Sequence, residues 1–340
     1  MKRFKKAEDI RVGIIGYGGM ARWHVKGVRE AGMTFAAASD VVPKHLDAAK
    51  EECPDIKTFR SAAAMLAKGG VDLVILVTPH NMHARQAVQC LSAGKHVVCE
   101  KPFAITTAEC DRMIAAAKKN RVFVTAFHNR HWDGIILNVM NKLRAGVIGE
   151  VGRVEAHMGS YGKPGKTWRS SKSKSGGVLY DWGVHLIEYM LQIVDSDIVE
   201  VTGFAKTGLW APKTPWKRDT NEDEGLAVVR FASGAWASLC ISNIDSNPKR
   251  GVLEITGTKG SLICDHRGWE TITHAGKDTV TRKGQNPPDE WDRFYRSIAD
   301  HLTKGTRLAI TAEWARRPIH ILDLADQSAR KGASLKAKYK

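Results

Sequence analysis

Three stretches of this sequence have residue types and spacing that could do chemistry: Glu100-Lys101-Pro102, the segment Gly176 to His185 containing Asp181, and the glycine-rich turn Gly16-Tyr17-Gly18-Gly19-Met20-Ala21. Lys101 follows the strand-like run His96-Val97-Val98-Cys99. That puts it at the carboxyl end of a parallel strand, where such sheets bind ligands, so its charge can act on a bound molecule. Asp181 and His185 are four residues apart. If a helical turn begins there, they share one face near its positive end. A neutral imidazole can take a proton from a hydroxyl, a carboxylate can orient that imidazole and stabilise its charged form, and a lysine can stabilise an oxygen anion. Alone, His185 reads as a helix-start or core histidine, since spacing does not fix which way a ring points. The company of Lys101 and Asp181 turns the reading toward catalysis.

The elements that must position these residues begin with the apolar run Ile10 to Ile15, the glycine turn, and a helical pattern ending near Gly32. Gly16 permits a tight turn, Gly18 lets the backbone approach a pyrophosphate, and Ala21 is small enough for helix and strand to pack closely. A second apolar strand, Thr34 to Ser39, ends in Asp40, 40 − 18 = 22 residues beyond Gly18. That is the distance expected of an acidic residue accepting hydrogen bonds from the adenosine ribose. Val41 and Val42 follow Asp40 where an arginine would suit a ribose phosphate, so NAD is favoured over NADP, although Lys44 weakens the preference. With a nicotinamide beside Lys101, the chemistry becomes oxidation of a carbinol.

Strands and helices alternate to about residue 128, as a doubly wound parallel sheet requires. Helices are predicted near Lys44 to Glu52, Ser61 to Lys68, His83 to Ser92 and Thr107 to Lys119, with strands near Ile56 to Phe59, Val71 to Val77 and Val122 to Phe127. From about Gly149 the pattern becomes alternating runs: Val151 to Met158, Ile198 to Lys206, Gly225 to Phe231, Ala235 to Ser242, Gly251 to Thr256 and Thr271 to His274. These predict a largely antiparallel second sheet. It is interrupted by a helix near Val184 to Val194, and the chain closes with helices near Glu290 to Lys304 and Glu313 to Lys331. Pro318 predicts a kink or a late start in the last helix. The fold class is α/β: a Rossmann domain over residues 1–128, then an α+β domain with an open sheet over 129–340, whose final helices are free to pack back on the first.

At 340 residues the chain is long enough for two cores. Its six cysteines include no Cys-x-x-Cys pair, which argues against a disulfide framework or a thiolate zinc site and for a reducing compartment. The basic amino terminus lacks an apolar signal region and no apolar run is long enough to span a bilayer, so a soluble, cytoplasmic protein is expected. The net charge of +16 is concentrated in the amino-terminal segment, the loop Lys163 to Lys174 and the tail Lys331 to Lys340, outside any nucleic-acid motif. It reads as a solvated surface, with the Lys163 to Lys174 loop suited to attracting an anionic substrate. The pairs His80/His83 and His128/His131 lack a cysteine or carboxylate at ligand spacing, and no metal is expected. No serine sits in a nucleophile-elbow turn and Cys99 lies within an apolar strand.

Taken together, the turn at Gly16, Gly18 and Ala21, Thr78-Pro79 with His83, Gly94-Lys95-His96-Val97 leading to Glu100-Lys101-Pro102, Trp168-Arg169, and Asp181-x-Gly183-x-His185 make the chain resemble the Gfo/Idh/MocA oxidoreductases along nearly its whole length. The resemblance implies hydride transfer with sugars or polyols, a substrate domain that builds dimers or tetramers, and catalysis by Lys101 and His185 with Asp181 in support. Dinucleotide contacts are then expected from Gly16, Tyr17, Gly18, Gly19, Met20, Asp40, Thr78, Pro79, His83 and Glu100, and substrate contacts from Lys101, Arg130, Trp168, Arg169 and His185. The chain departs from the family pattern at Glu188, where many members carry aspartate, and at His128-Asn129-Arg130-His131, where a tyrosine-containing start to the second domain is commoner. Both positions border substrate, so no one member's sugar carries over. The ten tryptophans suit either sugar stacking or core filling, and Trp168 is the one best placed for stacking. Two other functions fit the same residues: NAD-dependent glycoside cleavage by transient oxidation and elimination, and a sugar-responsive regulator that binds a dinucleotide without turnover.

Overall fold

The apolar runs of the first third form six short strands: β1 (Arg11–Ile15), β2 (Thr34–Ser39), β3 (Lys57–Phe59), β4 (Leu73–Leu76), β5 (His96–Cys99) and β6 (Val124–Ala126). In the computed structural model, which describes residues 3–339, they pair in the order β3-β2-β1-β4-β5-β6 with every pairing parallel. Helices α1 (Ala21–Glu30), α2 (Pro43–Glu52), α3 (Ala62–Lys68), α4 (His80–Ser92) and α5 (Thr107–Asn120) supply the crossovers. Because crossover helices cover such a sheet, a strand such as β4, Leu-Val-Ile-Leu, is buried at every residue. The strand order reverses between β1 and β4, so the loops after these two strands flank the switch point where open α/β sheets take their ligands. Local signals set the helix ends. Thr106 caps α5 and Glu109 returns the bond in a capping box.

The chain divides into two units, the first comprising residues up to Asn129 with Asp292–Arg316, the second Arg130–Trp291 with Arg317 onward. The second unit opens with α6 (Gly134–Arg144), a helix the apolar run Ile135-Ile136-Leu137 had not signalled, then β7 (Val151–Gly159), α7 (Lys172–Ser175), α8 (Val178–Asp181) and α9 (Gly183–Ile193). Seven more strands follow: β8 (Ile198–Lys206), β9 (Glu224–Phe231), β10 (Trp236–Ser242), β11 (Leu253–Gly257), β12 (Gly260–Cys264), β13 (Trp269–Ala275) and β14 (Asp278–Gly284). With the two-residue β15 (Leu335–Lys336) at one edge, they form a sheet ordered β14-β13-β12-β11-β7-β10-β9-β8-β15. Its pairings are antiparallel except β7 with β10, which run parallel. Alternation decides the faces: Gly225, Ala227, Val229 and Phe231 of β9 are buried, while Leu226 and Val228 between them are not. Helix α9 covers β7 and β10, and a methyl group at Gly183 would lie 2.7 Å from Leu239 Cδ2, so only a glycine lets the helix sit this close.

The last two helices are α10 (Arg293–Lys304), in the first unit, and α11 (Ala312–Lys331). A Cβ at Gly27 of α1 would lie 2.5 Å from the Tyr295 ring, so this glycine makes room for α10. Helix α11 runs from Ala312 through Pro318 to Lys331, so the late start expected at the proline does not occur. Thr311 caps it, its Oγ1 accepting from Trp314 N–H at 3.1 Å. Among the described residues, no helix is long and apolar enough to cross a membrane.

Candidate active site

In the first unit the glycine turn is fixed by its surroundings. Gly16 has φ +89°, and a Cβ there would stand 2.5 Å from the Val77 carbonyl and 2.9 Å from Thr78 Cγ2, so the turn after β1 presses against the turn after β4. Only glycine satisfies both demands. Gly18 and Gly19 are different: a Cβ on either would meet nothing within 4 Å, which leaves their backbone open to a ligand. Ala21 is fully buried at the start of α1, while Met20 is exposed. Tyr17 turns inward, its phenol donating to Glu52 Oε2 at 2.8 Å and its backbone N–H to Asp40 Oδ2 at 2.7 Å. Asp40, at the end of β2, also accepts from Val42 N–H at 2.8 Å through Oδ1 and lies 3.0 Å from His45 Nδ1 through Oδ2. A bare glycine backbone, a helix start and a carboxylate at the next strand end fit an adenine dinucleotide.

The loops after β4 and β5 are tied together. Thr78 donates its hydroxyl to Gln86 Oε1 at 2.6 Å, and Pro79 precedes the first turn of α4. His83, fully buried, sets Nε2 2.9 Å from Thr78 O and Nδ1 2.8 Å from Pro102 O. Its burial lowers the imidazole pKa, against the opposing pull of the two carbonyls. Both ring nitrogens therefore face backbone of the loops that carry Thr78 and Lys101. Glu100 is buried too: its Oε2 accepts from Lys101 N–H at 2.9 Å and its Oε1 lies 2.9 Å from His24 Nε2, whose Nδ1 is 2.6 Å from Tyr295 Oη. Burial alone would raise the Glu100 carboxyl, but the His24 bond and the charges of His24 and Lys101 outweigh it and hold the pKa below its ordinary value. His24 and Tyr295 had no signal in the sequence, since they join Glu100 across separations of 76 and 195 residues.

In the second unit, Asp181 is the last residue of α8 and His185 is the third of α9, with Trp182 at the junction. The four-residue spacing thus spans two helical segments. Asp181 Oδ2 lies 3.7 Å from Arg169 Nε, and the Arg169 guanidinium sits 4.5 Å from the Trp168 ring centre, so these three predicted residues meet. The buried His185 ring meets the edge of the half-exposed Trp182 indole, with centroids 6.0 Å apart. Arg130 lies over the same indole at 4.8 Å and over Trp291 at 5.5 Å, and donates to Asp133 Oδ2 at 2.8 Å. Asp133 is buried and also accepts from the Tyr189 hydroxyl and Trp291 Nε1, so Arg130 is anchored rigidly beside Trp182. Sequence reasoning did not find Asp133, Tyr189 or Trp291. At the second departure from the family pattern, His131 Nδ1 lies 2.5 Å from Glu188 Oε1, and Gln192 donates to the other oxygen.

The Gly176-Gly177 pair that precedes α8 has φ of +97° and +133°. A Cβ on Gly177 would lie 2.8 Å from Glu222 Oε2, the atom that accepts from Val178 N–H at 2.9 Å. Lys172 pairs with the same Glu222 and reaches Asp326 Oδ1 at 3.0 Å, so the segment leading to Asp181 is pinned by a buried carboxylate and by two ion pairs to residues distant in sequence. Among the described residues, no three or more His, Cys, Asp or Glu side chains are grouped to hold a metal ion.

Residues 10–128 match the model of an oxidoreductase family with an NAD-binding Rossmann fold, and residues 136–263 match the GFO/IDH/MocA C-terminal domain. Among curated proteins, the NADP(+) scyllo-inositol 2-dehydrogenase IolW of Bacillus subtilis is 23% identical over 347 residues, covering 97% of this chain and 96% of that one. The myo-inositol 2-dehydrogenase of Thermotoga maritima is 27% identical over 266 residues, covering 76% and 75%. Among solved structures, a levoglucosan dehydrogenase in complex with NADH and levoglucosan superposes with TM-score 0.82 at 19% identity, covering 97% of this chain and 99% of that one.

Proposed function

Since the chain belongs to the Gfo/Idh/MocA oxidoreductases, we propose that this enzyme uses NAD, in preference to NADP, to oxidise or reduce a ring hydroxyl of a sugar, glycoside or cyclitol. The observation that carries the reading is the junction of β5 with the two loops at the switch point: Lys101 follows Glu100 at the end of β5, and His83 bridges its loop to Thr78, beside the open glycine turn. The relatives that act on inositols support the substrate class.

Gly16 to Met20 would hold the pyrophosphate, Asp40 a ribose hydroxyl, and Thr78, Pro79, His83 and Glu100 would shape the nicotinamide side. The bound nicotinamide supplies the hydride acceptor or donor. The protein's part is proton and charge. The imidazole of His185 takes the hydroxyl proton, Asp181 stabilises the imidazolium that results, and Lys101 Nζ offers its charge to the developing alkoxide. Trp168, Arg169 and Arg130 orient the ring, the first by stacking and the others by hydrogen bonds. We place the enzyme in the cytoplasm, because none of its six cysteines forms a disulfide, and expect it to act as a homodimer or homotetramer.

The test is cofactor reduction across a panel of sugars, cyclitols, uronates and glycosides. Absorbance from reduced nicotinamide with one ring-hydroxyl class, lost in Lys101→Met, supports the reading. Release of an aglycone with no net reduction would replace it with redox-assisted elimination.

A further inference from the structure

The ribose-binding carboxylate is largely committed within the protein. A carboxylate offers about four lone-pair positions. At Asp40 the Tyr17 and Val42 backbone N–H groups and His45 Nδ1 occupy three of them, at 2.7, 2.8 and 3.0 Å. One position, on Oδ1, remains for a ribose hydroxyl. The acid placed to grip the ribose and repel a phosphate therefore already has an imidazole partner.

His45 sits in the first turn of α2 with its side chain 43% exposed, while the Asp40 side chain is 9% exposed. The contact requires a proton on Nδ1, so a neutral His45 carries its lone pair on Nε2 and takes up its second proton there. Around the pair, Arg60, just beyond the end of β3, donates to Val41 O at 2.8 Å, and Lys44 precedes His45 on the helix. On α2 itself, Asp47 lies two residues after His45, and Glu52 at the far end is bonded by the Tyr17 hydroxyl and paired with Arg22 of α1 at 3.5 Å. One turn along α2 from His45 stand Ala48 and Ala49, which carry no charge.

We propose that His45 makes this end of the cofactor site a proton-dependent selector, in which the imidazolium neutralises Asp40 and, with Arg60, admits the 2′-phosphate of NADP. With His45 neutral, Asp40 repels that phosphate and NAD is preferred. With His45 protonated, the local charge changes from net zero to net positive across Asp40, His45 and Arg60, and a phosphate gains charge-assisted partners. The inference rests on the dinucleotide reading of the glycine turn, and not on the identity of the sugar.

The test is equilibrium binding of NAD and NADP to the full chain by calorimetry, at about pH 8 and about pH 5.5, the ends of the range in which histidine side chains commonly act as charge switches. The ratio of NADP to NAD dissociation constants should fall by about tenfold on acidification, the size of one added charge-assisted contact. His45→Asn keeps a neutral donor toward Asp40, and its ratio should hold constant or rise, since the 2′-phosphate itself loses charge near pH 6. Arg60→Ala should weaken NADP in acid and leave NAD unchanged. A wild-type ratio that does not fall, or an equal fall in His45→Asn, would overturn the selector while leaving the dinucleotide site intact. Failure of both dinucleotides to bind at either pH would overturn the reading of the turn, and the selector with it.

Discussion

His24 Nε2 lies 2.9 Å from Glu100 Oε1, with the imidazole wholly out of solvent and the carboxylate nearly so, and the other oxygen of this buried carboxylate holds the backbone of the candidate catalytic Lys101. Tyr295, whose burial pushes its phenol pKa well above the usual range, keeps its proton and closes the network at His24 Nδ1. The pair thus sets the direction from which Lys101 leaves β5, because Glu100 also accepts from the Lys101 N–H.

Glu100→Gln should destabilise the protein by about 2 kcal/mol at neutral pH, since the carboxamide oxygen can keep one of the two hydrogen bonds the carboxylate makes but the buried negative charge is lost. The Glu100 carboxyl titrates below its ordinary value of 4.5. Its ionised form therefore stabilises the fold fully above pH 4.5, and that contribution is lost as the pH falls through the lower, folded-state pKa. Thermal unfolding of both proteins across this range should show the deficit of the variant shrinking in acid. A deficit independent of pH would separate stability from the charge of Glu100.

His83 predicts a second pH dependence, at a higher pH. Its imidazole is held below the ordinary 6.5 by burial, so the unfolded chain binds a proton that the folded chain refuses. Stability should then be full above pH 6.5 and fall as the pH drops from there toward the lowered pKa, by up to about 1.4 kcal/mol per pH unit. His83→Gln should flatten this slope in denaturant titrations. Because His83 bridges the Thr78 and Pro102 carbonyls, the same variant should also weaken dinucleotide binding.

These contacts mark the limit of what the sequence makes legible. The parallel sheet was readable because a strand buried on both faces, such as β4, is an unbroken apolar run, and the glycine turn because φ and close approach demand particular residues. The edge strand β14, Asp-Thr-Val-Thr-Arg-Lys-Gly, left no trace, since it is mostly exposed and has no buried face to impose alternation. Helix α6 was hidden for the opposite reason: three successive apolar residues obscure its 3.6-residue period. Asp181 and His185 were found as a pair, but the break at Trp182 was not, and the Arg130, Asp133, Tyr189 and Trp291 cluster draws on residues up to 161 positions apart. No local pattern encodes such a meeting.

The Gly176-Gly177 turn should be intolerant of side chains. Gly177→Ala places a methyl group against Glu222 in a backbone region that alanine disfavours, and should cost about 2 kcal/mol. The variant should raise KM for the sugar more than it alters dinucleotide affinity, because the displaced segment leads to Asp181. Equal changes in both would show that the turn supports the whole protein and not the substrate side.

Assembly is testable on the open face of the larger sheet. Phe204 and Trp236 are exposed there, with Leu226 and Val228 only partly covered, an apolar patch suited to a second subunit. Sedimentation at micromolar concentration should report a dimer or tetramer, and Trp236→Asp should shift the population toward monomer. A monomeric wild-type protein would remove this face from assembly.

The two residues on which the proposed chemistry depends can be separated from scaffold by their coupling. Lys101→Met removes the cation proposed to face the developing alkoxide and should lower kcat by about a hundredfold or more, as loss of an oxyanion donor does. His185→Ala removes the proton acceptor and should lower kcat as well. If the two groups serve one proton transfer, the double variant should be far less impaired than the product of the single losses, because residues that act as a unit are not additive. Near-normal turnover in either single variant, with an unchanged circular dichroism spectrum, would remove that residue from the mechanism. Strictly multiplicative losses would instead assign Lys101 and His185 to separate steps.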